Sequence, residues 1–275
     1  MNTSPRRLAA RFAALRARDE KALVIYLTAF DPNRERSLQL LFDAARGGAD
    51  VLEVGVPWSD PSADGPVIQR AMLRGLSAGA TLARTLALCA ELRHSVDTPM
   101  VLFGYYNPIL AYGPERFAKD AAAAGIDGAL VVDLPPEEAA ELDEPLLRAG
   151  LSRVPLLAPT TNPARARLLV QSPACGGFAY YVGLTGVTGA GHLDIADVTA
   201  RTAVLKATFA QREGGAEPLP LAVGFGVRDE ATAAALARVP ACDAVVVGSA
   251  IVQAQEEGQD IAALVSRLKR AILTA

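Results

Sequence analysis

Cysteine is scarce in this chain. Cys89, Cys175 and Cys242 are far apart and odd in number, which leaves neither a disulfide framework nor metal-ligand spacing. The two histidines, His94 and His192, form no H-x-x-x-H arrangement, and His94 lies beside Arg93 in a helical stretch as a surface residue. No metal site is expected. No apolar run approaches the roughly 20 residues of a membrane span, and the N-terminus lacks a signal peptide's apolar core and cleavage site. Its arginines, Arg6, Arg7, Arg11, Arg16 and Arg18, are broken up by apolar residues and followed by Asp19 and Glu20. That pattern reads as a solvated first helix, not a basic arm. The net charge is only −3 and no basic cluster is interleaved with aromatics, so nucleic acid is not an expected partner. These absences leave a cytoplasmic, metal-free protein with no membrane partner as the expectation.

What is abundant is apolar. Hydrophobic residues make up 51% of 275 positions, enough for a large core, and no linker or composition break divides them. A helix at about 4–18 precedes eight strand-like segments. These are Ala22–Leu27, Val51–Gly55, Met100–Gly104, Gly128–Val132, Val154–Ala158, Phe178–Val182, Leu219–Val223 and Ala244–Gly248. Stretches with helical periodicity lie between them, near 34–47, 67–78, 81–95, 114–124, 136–149, 163–171, 195–212, 229–238 and 257–272. Such alternation implies a parallel sheet. Eight repeats in one domain of this length predict a (β/α)8 TIM barrel with an extra N-terminal helix, residues 1–275 forming a single unit.

The most informative stretch is Leu52–Pro66. Glu53, Asp60 and Asp64 lie in or just after a strand whose two faces are both mostly apolar. Period-2 alternation puts Val51, Glu53 and Gly55 on one face. A glutamate there costs several kcal/mol unless it is paired, hydrogen-bonded or neutralised. Either it has a chemical task or it pairs with a basic residue elsewhere, the aspartates then merely capping turns. Other polar and aromatic residues also gather at strand carboxyl ends: Tyr26, Tyr105, Asp133, Tyr180 and Phe225. In a barrel that rim carries the active site. Flat rings there suit a flat, apolar substrate moiety, or are ordinary barrel-top packing. Gly224-Phe225-Gly226, Gly248-Ser249 and Gly186-Val187-Thr188-Gly189 follow the last three strands. Glycines at those positions let backbone N–H groups approach an anion at a helix N-terminus; the plainer alternative is tight turns.

The run Leu52–Pro66, Tyr105-Tyr106-Asn107-Pro108, Asp133-Leu134-Pro135, Ala158-Pro159-Thr160-Thr161 and the three glycine turns resemble, in order, the α subunit of tryptophan synthase. The resemblance covers roughly residues 20–255. It implies a lyase that cleaves indole-3-glycerol phosphate to indole and glyceraldehyde 3-phosphate, with no cofactor and with a tryptophan synthase β subunit as partner in an α2β2 complex. By the same resemblance Glu53 is the general acid–base and Asp64 binds the indole N–H. Tyr26, Tyr105, Tyr180, Thr188, Gly189, Phe225, Gly226, Gly248 and Ser249 bind substrate, and Pro57 and Asp60 face the β subunit. Phe30, Trp58 and Gly183-Leu184 depart from the family pattern without removing a proposed catalytic group. A stand-alone lyase releasing free indole, or a non-catalytic subunit sensing a phosphorylated ligand, are the alternatives.

Overall fold

A computed structural model describes residues 7–182, 194–210, 218–224 and 226–275. Helix α1 (Arg7–Arg16) leads into β1 (Ala22–Thr28), α2 (Arg34–Arg46), β2 (Val51–Gly55), α3 (Pro66–Ser77), α4 (Leu82–Arg93) and β3 (Met100–Gly104). Next come α5 (Tyr106–Tyr112), α6 (Pro114–Ala123), β4 (Gly128–Val131), α7 (Ala140–Ala149), β5 (Ser152–Arg153) and β6 (Leu156–Leu157). Then follow α8 (Pro163–Gln171), β7 (Ala179–Val182), α9 (Ile195–Phe209), β8 (Leu221–Gly224), α10 (Glu230–Ala237), β9 (Ala244–Val247), α11 (Ser249–Glu256) and α12 (Ile261–Leu273). Among the described residues no helix is long and apolar enough to cross a membrane.

All strand pairs are parallel, in the order β5-β4-β3-β2-β1-β9-β8-β7-β6. The two ends of that series, β5 and β6, are halves of one interrupted strand over 152–157, which begins two residues before the expected Val154–Ala158. Pro155 has no N–H to donate to a ladder, so the strand breaks there. Its first half pairs with β4, and Val154 N donates to Ala129 O at 2.9 Å. Its second half pairs with β7, and Tyr180 N donates to Pro155 O at 2.9 Å. The break therefore closes the sheet into the expected barrel. Two further differences from the sequence reading concern helices. A short helix, α5, follows β3 directly, and an unexpected helix, α11, starts just after β9 and Gly248, ahead of α12, which is the helix expected at 257–272.

Inside the barrel, Val24, Val51, Val101, Leu130, Val154, Phe178, Ala222 and Val246 form one buried cluster. Helix α1 closes it from below. Its Leu8, Phe12 and Leu15 belong to that cluster, and the Phe12 ring lies 5.6 Å from that of Phe178. A second, larger cluster fills the layer between the outward strand faces and the surrounding helices. At the lower rim, three aspartates that each immediately precede a strand cap the neighbouring strand's backbone. Asp50 accepts from Leu23 N at 2.7 Å, Asp127 from Met100 N at 2.9 Å and Asp243 from Leu221 N at 2.6 Å. Each also holds a cation: Lys269 on Asp50, Arg7 and Arg93 on Asp127, Lys206 on Asp243. Every carboxylate in this clamp is hydrogen-bonded and charge-paired, as burial requires of Asp50 and Asp127; Asp243 is half-buried.

The plug gives a direct test. Phe12→Ala removes an almost fully buried ring from the barrel floor and should cost about 3–5 kcal/mol of unfolding free energy. Denaturant titration checks it, and a loss below ~1 kcal/mol would mean that α1 merely rests on the barrel.

Candidate active site

The upper end of the barrel interior is built from the same inward-facing positions, but there the chemistry differs. Tyr26 and Glu53 are register partners on β1 and β2. The Tyr26 ring meets Phe103 edge-on at 5.3 Å between centroids. Two glycines make room for the phenols. A Cβ on Gly55 would lie 2.2 Å from the Tyr26 hydroxyl, and one on Gly224 would lie 2.2 Å from the Tyr180 hydroxyl. Any side chain at either position would expel its tyrosine from the barrel mouth. The Tyr26 hydroxyl also lies 3.1 Å from Thr28 Oγ1, which orients it.

Glu53 is fully buried, and among the described residues its Oε1 has no hydrogen-bond partner. Burial alone pushes its carboxyl up to about 8, so the group is mostly neutral at pH 7 and holds a proton. The lower-rim aspartates show what a structural carboxylate looks like in this barrel. Glu53 has neither their cation nor their backbone N–H, which disposes of the reading in which it simply pairs with a basic residue.

Asp64 enters from the loop between β2 and α3. Pro66 at the first helical position fixes where that loop ends. The carboxylate accepts from the Tyr105 hydroxyl at 2.7 Å, and the same oxygen of Tyr105 accepts from Ala63 N at 3.0 Å. Gln69 folds back from α3 and donates to Asp64 O at 2.9 Å. Burial raises the Asp64 carboxyl above its usual range, partly offset by the Tyr105 hydrogen bond. Both Tyr26 and Tyr180 are shifted upward, first by burial and then by the charges of Glu53 and Asp64. The two carboxyl groups and the two phenols thus share one electrostatic environment.

At the other side of the mouth Gly248 precedes α11 and Ser249 is its first residue. The first N–H groups of that helix have no acceptor within it. Ile68 of α3 and Tyr26 border Gly248, each within 4 Å of where its Cβ would be. Gly226 is exposed with φ +42°, and among the described residues a Cβ there would meet no atom within 4 Å. Thr188, Gly189, Phe225 and the Gly183-Leu184 pair lie outside the described residues. Pro57 is buried, and a Cβ on Gly75 of α3 would lie 2.8 Å from its ring, so Pro57 props the acid loop on α3. Trp58 is half-buried, and Asp60 faces solvent, its carboxylate accepting from the Ser59 hydroxyl at 2.6 Å.

With the geometry in place, relatives can be compared. The family model for the tryptophan synthase alpha chain matches residues 12–273. The chain belongs to the tryptophan synthase alpha chain family. The tryptophan synthase alpha chain of Gluconacetobacter diazotrophicus is 49% identical over 255 residues, covering 92% of this chain and 89% of that one. That of Chromobacterium violaceum is 48% identical over 273 residues, covering 97% and 99%. The crystal structure of tryptophan synthase subunit alpha from Legionella pneumophila matches with a TM-score of 0.88 at 36% identity, over 99% of this chain and 100% of that one. The barrel is therefore that of the tryptophan synthase alpha chain family.

Within that family pattern Phe30 is an odd residue. Its φ of +64° is in the region that favours glycine. The ring is fully buried under the Arg84 guanidinium, 4.9 Å from the ring centre. Phe30 thus packs into the core and does not narrow the mouth. Three supports of the site were not read from the sequence: Tyr105 as the partner of Asp64, Gln69 as the prop of its loop, and Asp133, whose Oδ1 accepts from Tyr106 N at 2.7 Å and caps α5. Only the position of Gln69, five residues after Asp64 at a helix start, was a usable signal.

Glu53 carries a sign-definite stability prediction. Its folded value is raised, so its contribution is intact below about pH 4.5 and is lost as pH rises toward 8. Glu53→Gln removes that loss. It should stabilise the protein by about 3 kcal/mol at pH 7 and by almost nothing at pH 4. Chemical denaturation at both pH values measures this, and a gain that does not change with pH would contradict it.

Proposed function

We propose that Glu53 moves the proton, and Asp64 steadies the charge, in the cleavage of indole-3-glycerol phosphate. Family membership makes the chain a lyase of tryptophan biosynthesis. The single observation that carries the assignment of roles is the neutral, unpartnered carboxyl of Glu53 inside the barrel, within electrostatic reach of the same tyrosines as Asp64.

The chemistry asks for such a pair. A proton delivered to indole C3 makes an indolenine cation. The C3′ hydroxyl then gives up its proton as the C3–C3′ bond breaks, leaving indole and the aldehyde of glyceraldehyde 3-phosphate. A protonated Glu53 supplies the first proton and, as carboxylate, takes the second, so the group returns to its starting state. Positive charge grows on the indole nitrogen meanwhile, and Asp64 stabilises it in a site with little water. The Tyr105 hydroxyl, fixed between Ala63 N and Asp64, holds that carboxylate in place. Tyr26 and Tyr180 offer ring surface to the indole. Gly226, Gly248 and Ser249, with Gly189 and Phe225, form the phosphate cradle. No step calls for a cofactor. A subunit that only senses a phosphorylated ligand gains nothing from the cost of holding Glu53 in the interior.

The partner is a tryptophan synthase beta subunit. Asp60 and the loop propped by Pro57 face it, and docking closes the site. We assign the activity to a single barrel working in the cytoplasm.

Glu53→Gln should lose at least about two orders of magnitude in turnover while still binding glycerol phosphate. In the wild type, kcat/KM should fall as pH rises through about 8, where the free enzyme loses the proton of Glu53. Full turnover in the variant, measured by release of indole, would remove Glu53 from the mechanism.

The closing of the site has its own test. A beta subunit titrated into the cleavage assay should raise turnover at least about tenfold. Asp60→Ala should erase most of that rise and leave the unstimulated rate nearly unchanged. A flat titration would point to a stand-alone lyase.

A further inference from the structure

Four charged side chains outside the reacting groups connect the two ends of the site. Arg74 is on α3, the helix that the Asp64 loop runs into. Its Nε and Nη2 hold the two oxygens of Asp31, buried in the loop after β1, at 2.6 and 2.8 Å. Its remaining nitrogen, Nη1, donates to Glu256, the last residue of α11. Arg70, one turn earlier on the same face of α3, donates to the other oxygen of Glu256 at 3.1 Å. A carboxylate at a helix C-terminus is opposed by the helix dipole, so Glu256 does not stabilise α11 by itself. The two arginines stabilise it instead: the hydrogen bond from Arg70, opposed by burial and joined by that from Arg74, holds its carboxyl below the usual range.

The geometry of α11 gives this clamp a purpose. The helix has eight residues and is about 12 Å long. One end carries Gly248 and Ser249, and the other is gripped by α3. Between the ends, Val252 of α11 and Ala71 of α3 are buried together with Tyr26, and Val67 and Ile68 pack on them. The grip fixes the direction in which the first amides of α11 point. Arginine suits the task because its planar fork can serve two carboxylates on two different elements at once, whereas a lysine ammonium is a single point charge.

We infer that Arg74 and Glu256 are positioning residues for the phosphate end of the substrate, locking the cradle helix to the helix that carries the Asp64 loop. The inference rests on the phosphate assignment made above. The bond from Arg74 to Asp31 extends the same lock to the loop after β1. Neither residue touches the reacting atoms, so the pH profile set by Glu53 should not move when the lock is broken.

The test is a double-mutant cycle with Arg74→Lys and Glu256→Ala in the full-length chain, with glycerol phosphate as the probe and calorimetry as the readout. Each single variant should weaken binding by about three- to tenfold, and the double variant should be little worse than either alone. KM for indole-3-glycerol phosphate should rise in step, while the pH at which kcat/KM falls stays where it is in the wild type. A purely structural role predicts lower unfolding temperatures with unchanged affinity, and that result would overturn the inference. Ser249→Asp serves as the control. If it abolishes glycerol phosphate binding while the cycle variants bind normally, only the positioning role fails. If Ser249→Asp also binds normally, the phosphate is elsewhere and the inference falls with the cradle.

Discussion

A glutamate held without a partner inside an apolar barrel is the constraint on which the site depends. Moving an ionised carboxylate out of water costs several kcal/mol even after relaxation, and Glu53 avoids most of that by keeping its proton. The lower rim of the same barrel shows the other solution. Asp50, Asp127 and Asp243 stay in place by taking a backbone N–H and a cation each. One barrel therefore holds two kinds of acid, divided by end. Paired acids brace the floor, and the unpaired one faces the mouth.

The rest of the upper architecture keeps Glu53 in that state and places groups around it. Gly55 and Gly224 give up their side chains so that two phenols can lie across the mouth. Phe103 supports the Tyr26 ring from the side. The second carboxylate arrives on a loop fixed by Pro66, Gln69 and Tyr105 rather than on a strand. A loop can adjust when substrate and partner arrive, whereas a strand cannot, which fits a carboxylate that follows the charge and a proton donor that stays still. The floor plug, with Phe12 against Phe178, seals the interior from the opposite end and helps keep it dry.

Much of this was legible in the sequence because the signals were local. Alternating apolar runs gave the strands, and period-2 parity put Glu53 on the same face as Val51 and Gly55, the face that proves to be the interior. What was not legible depended on distant partners or on backbone chemistry that masks periodicity. The seven residues of α5 are too few, with Pro108 among them, to show a helical repeat. The fifth strand reads as one run because Pro155 breaks hydrogen bonding and not hydropathy. Helix α11 starts within one residue of the strand-end glycine, so it was read as a turn. The bond of Tyr105 to Asp64 spans 41 residues and depends on how the acid loop folds back. The lower-rim aspartates carry no motif at all; only the closed barrel brings them to the neighbouring strands.

The central claim is that Glu53 is a neutral acid at physiological pH because, among the described residues, nothing in the barrel interior compensates its charge. Direct titration of its side-chain carboxyl in the ligand-free protein, by carbon-13 NMR with Glu53→Gln to assign the resonance, measures this without relying on turnover. The account predicts a midpoint near 8, far above an ordinary glutamate. A midpoint near 4.5 would mean that the carboxylate is solvated or paired, and the proton-transfer role derived from its isolation would be wrong.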